Sequence, residues 1–198
     1  MPAAGVQPAR QLPWSDERLL AECRRGNQQA WAMLLDKYKN LVYSIPVKMG
    51  LREEAADIFQ SVFLDLLNDL EQIREPQALP KWLMQVSYHK CLRLRAQAER
   101  HIPTQDETLT SLGGQAESGP PALDAVLIQA QREQQVREAV RLLPPRCERL
   151  VRMLFYEAPA RPYQEVARAL GLATGSIGFV RGRCLARLRK ELERLALK

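Results

Sequence analysis

Histidine and cysteine are scarce in this chain, and strand-forming patterns are scarcer. Only two histidines, His89 and His101, occur in 198 residues, and the four cysteines, Cys23, Cys91, Cys147 and Cys184, lie far apart. No C-x-x-C pair and no Cys/His grouping has zinc-ligand spacing, and His89 and Cys91 fall on different sides of a helix, so no metal is expected. No glycine-rich loop follows a strand, and no nucleophile sits at motif spacing from a base. That leaves no catalytic residues and no cofactor to assign, and argues against an enzyme. Long apolar runs are missing too. Nothing nears the length of a membrane span, and "MPAAGVQPAR" lacks the apolar core of a signal peptide. These lacks predict a cytoplasmic protein without a membrane partner, its four cysteines ordinary and mostly buried thiols.

What is present is helical periodicity and an uneven charge. Apolar residues make up 46% of the chain, enough for a core, and the formal net charge is +6. From Arg132 to Lys198 there are 15 basic and 7 acidic residues, a net of +8; the remainder carries 14 and 16, a net of −2. A basic C-terminal third points to a polyanion, most often nucleic acid. "SDERLLAECRRG" predicts a helix with Ser15 as N-cap, closed at Gly26. The next runs to Gly50, with Ala30, Trp31, Leu34, Tyr38, Leu41, Val42 and Ile45 on one stripe and a kink at Pro46. "REEAADIFQSVFLDLLNDLEQI" predicts a third, with Ile58, Val62, Phe63, Leu66, Leu67 and Leu70 facing in. After the loop "REPQALP", "KWLMQVSYHKCLRLRAQAER" reads as a fourth and strongly basic helix.

The character then changes. "HIPTQDETLTSLGGQAESGPP" is rich in Gly, Pro, Ser and Thr, holds three acids and no Lys or Arg, and reads as a flexible linker. Four helical segments follow, broken by Pro144, Pro159 and Gly171. The fold class expected is all-α. A disordered tail (1–14) precedes one helical domain (15–100), an acidic linker (101–123) and a second helical domain (124–198).

Near the C-terminus, "ARALGLATGSIGFVRGRCLARLRK" has the marks of a helix-turn-helix. That motif needs a small residue inside its first helix, a turn glycine at positive φ, and an aliphatic plug in the second helix. Ala167, Gly171 and Ile177 meet these needs, and Thr174 or Ser176 can cap the second helix. Such a helix lies in the DNA major groove. Yet Gly175, Gly178 and Gly182 share the face opposite Ile177, which therefore offers no bidentate donor at its centre. Arg181, Arg183, Arg187 and Arg189 lie more laterally or further along and suit phosphates better than bases. Two readings stay open: the glycines admit a close backbone approach, or they mark a reader whose specificity has lapsed.

With both halves laid out, the chain resembles a bacterial RNA polymerase sigma factor of the extracytoplasmic-function group of the sigma-70 family. "RGNQQAWAMLLDKYKNLVY" is similar to the family's opening, and "ADIFQSVFLDLL" resembles its D-[LIV]-x-Q-[ED]-[VA]-F segment through Asp57, Gln60, Val62 and Phe63. "LPKWLMQVSYHKCLRLR" keeps Trp82 and Leu83 of a third family stretch, with Val86 for Ile. "LLPPRCERLVRMLFYE" and "YQEVARALGLATGSIGFVRGRCLARLRKEL" follow the order of the family's region 4.

The resemblance implies two DNA-binding domains, regions 2 and 4, on a dissociable subunit of core RNA polymerase that recognises promoter DNA. It implies that Asp57, Gln60, Ser61 and Asp65 dock on the clamp helices of the β′ subunit. It assigns Lys81, Gln85, Tyr88, His89, Lys90 and Arg93 to opening of the −10 element, with Trp82 read as core. The −35 reader would be Thr174, Gly175, Ser176, Gly178, Phe179, Arg181, Gly182, Arg183 and Arg187, on a domain packed against the β flap. An anti-sigma protein is a further implied partner. The departures fall largely on DNA-facing positions: Ser61 stands for an acid, Gln85 for Arg, His89 for Asn, Arg93 for Asp, and Gly178-Phe179-Val180 for Lys-Ser-Arg. They imply an unusual promoter or weak intrinsic activity. Rival readings are a helix-turn-helix regulator and a sigma-like decoy that binds polymerase without initiating.

Overall fold

A computed structural model describes residues 14–100 and 123–196. The expected tail and linker, apart from Trp14 and Leu123, lie outside these residues. Among the described residues there are eight α-helices and no strand, as the all-α expectation requires. They are α1 (Asp16–Arg24), α2 (Gln28–Lys48), α3 (Ala55–Asp69), α4 (Leu79–Arg100), α5 (Leu123–Leu142), α6 (Pro145–Phe155), α7 (Tyr163–Leu170) and α8 (Ile177–Ala196). Short 3-10 turns lie at Leu70–Gln72, Pro76–Ala78 and Thr174–Ser176.

The chain divides into two compact units, residues 15–134 and, after them, residues 135–198. The border falls inside α5, beyond the 123/124 border expected. Leu123–Gln134 belongs with the first unit because Val126 and Ala130 are buried, Lys48 pairs with Glu133 (2.8 Å), and the Gln134 amide donates to the Lys37 carbonyl (3.1 Å).

In the first unit α2 packs against α1, α3 and α4. Leu34, Tyr38, Leu41, Val42 and Ile45 are fully buried, and Trp31 is half-buried at the edge of the same stripe. Burying each such aliphatic side chain stabilises by about 1.5–3 kcal/mol. Ser15 caps α1 by accepting from the Arg18 N–H, and Asn27 caps α2 by accepting from Gln29 and Ala30. Helix α2 continues through Pro46 to Lys48. Proline in the last turn forfeits one backbone hydrogen bond where few remain to be lost. At Gly50, φ of 78° lets the Leu51 N–H return to the Pro46 carbonyl (2.8 Å) and closes the helix. The Arg24 guanidinium donates to the Ile73 and Leu70 carbonyls (2.5 and 3.3 Å), tying α1 to the turn after α3.

The second unit encloses one apolar cluster of Val140, Leu143, Leu150, Val151, Val166, Ala167 and Ile177, with Cys147 and Cys184. These cysteines require a correction. Cys147 on α6 and Cys184 on α8 form a disulfide, with a Cα–Cα distance of 5.2 Å, so only Cys23 and Cys91 remain as buried free thiols. The two partners are 37 residues apart, and only the packing of α6 on α8 brings them within bonding range.

Burial pushes the thiols of Cys23 and Cys91 up to about 11 from an ordinary 9.0. Their contribution to stability is full below the ordinary value and is lost as pH rises through about 11. Alkylation of the native protein near pH 8 is therefore expected to be slow at both. Urea alone should expose two reactive thiols, and urea with a reductant all four. Four labelled cysteines without a reductant would show that the disulfide is absent in solution.

Candidate functional site

Helix α3 presents a face that nothing in its own unit covers. Asp57 and Gln60 are exposed on it, while Ser61 and Asp65 are only partly so. Leu64 and Leu67 share this exposure at 61% and 55%. Leu67 was expected to face in, and here the reading needs correcting. Ile58, Val62, Phe63, Leu66 and Leu70 already fill the inner face, and a run this rich in leucine carries more apolar residues than one helix side can bury. Sequence periodicity gave no cue to Leu64 as a surface residue. The combined face is apolar at Leu64 and Leu67 and acidic or amide-bearing at Asp57 and Gln60. It can dock on a protein surface that offers apolar contact and donors.

On α4, Lys81, Gln85, His89 and Arg93 follow one another at every fourth position, and each is exposed or half-buried. A step of four residues turns the helix by only about 40°, so these side chains form one gently winding stripe of donors and cations. Two expected members stand apart from it. Tyr88 is only 6% exposed, so its ring is part of the core and has almost no surface to offer a base. Lys90 turns toward α3, where its ammonium donates to the Ser61 hydroxyl (2.7 Å) and pairs with Asp65 (2.7 Å). Ser61 thus receives a hydrogen bond from α4. Trp82 is half-buried.

The helix-turn-helix is built by α7, the turn 171–176 and α8. Ala167 and Ile177 are buried in the cluster, and Gly171 has φ of 61°. That left-handed residue lets the Leu172 N–H bond the Ala167 carbonyl (2.8 Å), which reverses the chain. From α6, the Arg146 and Arg149 guanidiniums donate to the Leu170 and Ala169 carbonyls (3.4 and 3.5 Å), which favours cations at the C-terminal end of α7. The expected cap is not formed by Thr174 or Ser176. The Ser176 hydroxyl donates backward to the Ala173 carbonyl (2.7 Å), because Thr174–Ser176 winds as a 3-10 turn that runs straight into α8.

Along α8 the exposed face carries Gly178, Phe179, Arg181, Gly182, Arg183 and Arg187, with Thr174 and Gly175 exposed in the turn before it. Phe179 is 70% exposed, and the Arg183 guanidinium lies 5.7 Å from its ring centre. Arg181 donates to the Tyr163 hydroxyl (2.5 Å) at the start of α7, a contact across 18 residues that no local pattern announces. Gly175, Gly178 and Gly182 have no positive φ, and a Cβ on any of them would meet nothing within 4 Å. Folding does not require glycine there. Gly182→Ala is expected to stabilise the second unit by about 1 kcal/mol, with a smaller gain for Gly178→Ala near the helix start, read as a rise in melting temperature. A simultaneous loss of duplex affinity would show that the glycines admit a close approach. Unchanged affinity would identify a reading position that has lapsed.

Beside this face lies a small groove of about 200 Å³. Pro144, Val180, Cys147 and Cys184 line it, together with Arg146, Arg183 and Arg187. Sequence reasoning missed it, because its residues come from two helices and a loop.

These units define a helical protein whose second unit carries a cationic helix-turn-helix and whose first carries an uncovered apolar and acidic helix face. No family model matches the chain. Over 175 residues it is 28% identical to a protein named "Probable RNA polymerase sigma factor RfaY" from Xanthomonas campestris pv. campestris, across 87% of this chain and 43% of that protein. Over 92 residues it is 22% identical to "ECF RNA polymerase sigma-E factor" from Haemophilus influenzae, across 46% of this chain and 49% of that protein. The matches span less than half the length of these curated relatives. The chain is thus similar to proteins named as RNA polymerase sigma factors, one of them of the extracytoplasmic-function type. Among the described residues no helix is long and apolar enough to cross a membrane.

Proposed function

We propose that this chain is a dissociable specificity subunit of RNA polymerase that directs the core enzyme to promoters and helps open them. In this reading α3 docks on polymerase through Asp57, Gln60, Leu64 and Leu67, with Ser61 and Asp65 held against α4 by Lys90. Lys81, Gln85, His89 and Arg93 on α4 hold the backbone and bases of a separated −10 strand, as donors and cations do in single-strand sites. The second unit grips the −35 duplex through Arg183 and Arg187, with Arg181 oriented by Tyr163.

The observation that carries this reading is the uncovered α3 face, with Leu64 61% and Leu67 55% exposed beside Asp57 and Gln60. A DNA-binding regulator needs no such face for its helix-turn-helix, whereas a subunit that must dock on a large enzyme does. The names of the two relatives support the same reading. A decoy that binds polymerase without initiating is the second reading, favoured by the bare Gly178 and Gly182 on the reading face.

Run-off transcription with core polymerase on a fragmented genomic library tests both. Defined start sites sharing upstream elements are expected. Polymerase binding without transcripts would leave the decoy. Neither transcripts nor polymerase binding would leave the helix-turn-helix regulator. In the same assay Leu64→Asp combined with Leu67→Asp should abolish polymerase binding and leave duplex binding by the second unit intact.

A further inference from the structure

We propose that the Cys147–Cys184 disulfide is a thiol-exchange site addressed by anionic low-molecular-weight thiols, drawn to it by the arginines around its groove. The surrounding thiol pool would then set whether the helix-turn-helix is stapled.

Three features of the second unit converge on this site. The disulfide joins α6 to α8 across 37 residues, and the loop it closes contains all of α7, the turn and the start of α8. Both cysteines belong to the buried cluster and also line the groove, and Cys147 keeps 6% of its surface open against 2% for Cys184. Three guanidiniums, of Arg146, Arg183 and Arg187, line the same groove. Arg146 meets only the Leu170 carbonyl and Arg183 only the Phe179 ring, so no carboxylate neutralises them among the described residues. An uncompensated cationic groove concentrates anions. It also favours both thiolates of an exchange reaction, the attacking one and the one released. A thiol carrying carboxylates, of which glutathione is the available probe, fits this chemistry: sulfur inward, carboxylates on the guanidiniums.

The exchange balances without another reactant. A thiolate attacks the sulfur of Cys147, the less buried of the two residues, to form a mixed disulfide, and Cys184 leaves as a thiolate that takes up a proton. A second thiolate attacks the mixed disulfide, the small-molecule disulfide departs, and Cys147 is released as a thiol. The protein disulfide gains two electrons, and two small thiols are oxidised to one disulfide. Run in reverse, the small disulfide restores the staple.

The test needs neither DNA nor polymerase. The oxidised full-length chain is treated with anionic glutathione or with cationic cysteamine at equal thiolate concentrations, and freed thiols are counted by alkylation and mass spectrometry. A short peptide disulfide supplies the reference ratio of the two rates. The protein is expected to favour glutathione over that reference by about tenfold, a preference that added salt erodes. Arg183→Gln with Arg187→Gln should return the ratio to the reference; the salt series on the unaltered chain carries the test if that variant does not fold. A ratio equal to the reference, or one that added salt leaves unchanged, would overturn the proposal.

The consequence for DNA rests on the proposed function. Reduced protein is expected to bind random-sequence duplex on the order of tenfold more weakly than oxidised protein, because fewer molecules hold the competent conformation. Equal binding by both forms would overturn the regulatory role. Selective exchange without duplex binding by either form would instead count against the proposed function and leave the exchange site standing.

Discussion

Reduction of the Cys147–Cys184 disulfide is expected to lower the melting temperature of the second unit by on the order of 20 °C. The cross-link removes loop-closure freedom from the unfolded chain. For partners 37 residues apart its contribution falls between those of short and long loops, at about 4 kcal/mol. The helical part of the unit is residues 135–198, and a domain of that size is stabilised by roughly 3–9 kcal/mol in total. The staple is thus a large share of the whole, and small domains depend on such cross-links because their cores are small. Calorimetry with and without dithiothreitol measures it. The transition of the first unit, whose free thiols Cys23 and Cys91 are already reduced, serves as the internal control. A shift of only a few degrees would show that the core of the second unit holds without its staple.

Ile177→Ala is expected to cost the second unit about 3 kcal/mol and to remove most duplex binding. Ile177 is fully buried at the first residue of α8, in the cluster with Leu150, Val151, Val166 and Ala167. Truncating it loses the transfer free energy of its methyl groups and leaves a cavity between α6, α7 and α8 that helices of this stiffness fill poorly. The neighbouring control is Phe179→Ala. Phe179 is 70% exposed two residues further on, so its removal should change stability by no more than about 0.5 kcal/mol. Urea melts of both variants give the comparison. Equal costs at the two positions would mean that Ile177 does not plug the motif. Because Phe179 and Arg183 share a surface beside the groove, loss of duplex affinity in Phe179→Ala at unchanged stability would place that ring in the DNA contact.

Much of the architecture was legible because local patterns encode it. The stripe Ala30, Leu34, Tyr38, Leu41, Val42 and Ile45 repeats with helical period and is buried as a stripe. Ser15, Gly50, Gly171 and Ile177 act at their sequence positions through caps, positive φ and a plug, each of which depends on only a few neighbouring residues. Of the α4 residues that the resemblance named, the shared stripe of Lys81, Gln85, His89 and Arg93 could be read from their four-residue spacing. Tyr88, Lys90 and Leu67 could not. Whether an aromatic, a lysine or a leucine faces a core, a partner helix or water depends on which side its helix turns toward the others, and α3 and α4 settle that by packing on each other.

The sequence by itself determined the all-helical class, the order of the elements and the cationic helix-turn-helix, because periodicity, caps and charge act over a few residues. The tertiary structure decided the rest. It paired Cys147 with Cys184, lent Lys90 to Ser61 and Asp65, set Arg181 against Tyr163, and assembled the groove of Arg146, Arg183 and Arg187. Each of these joins residues from at least two elements. Such contacts arise only when whole helices choose their neighbours to bury apolar faces.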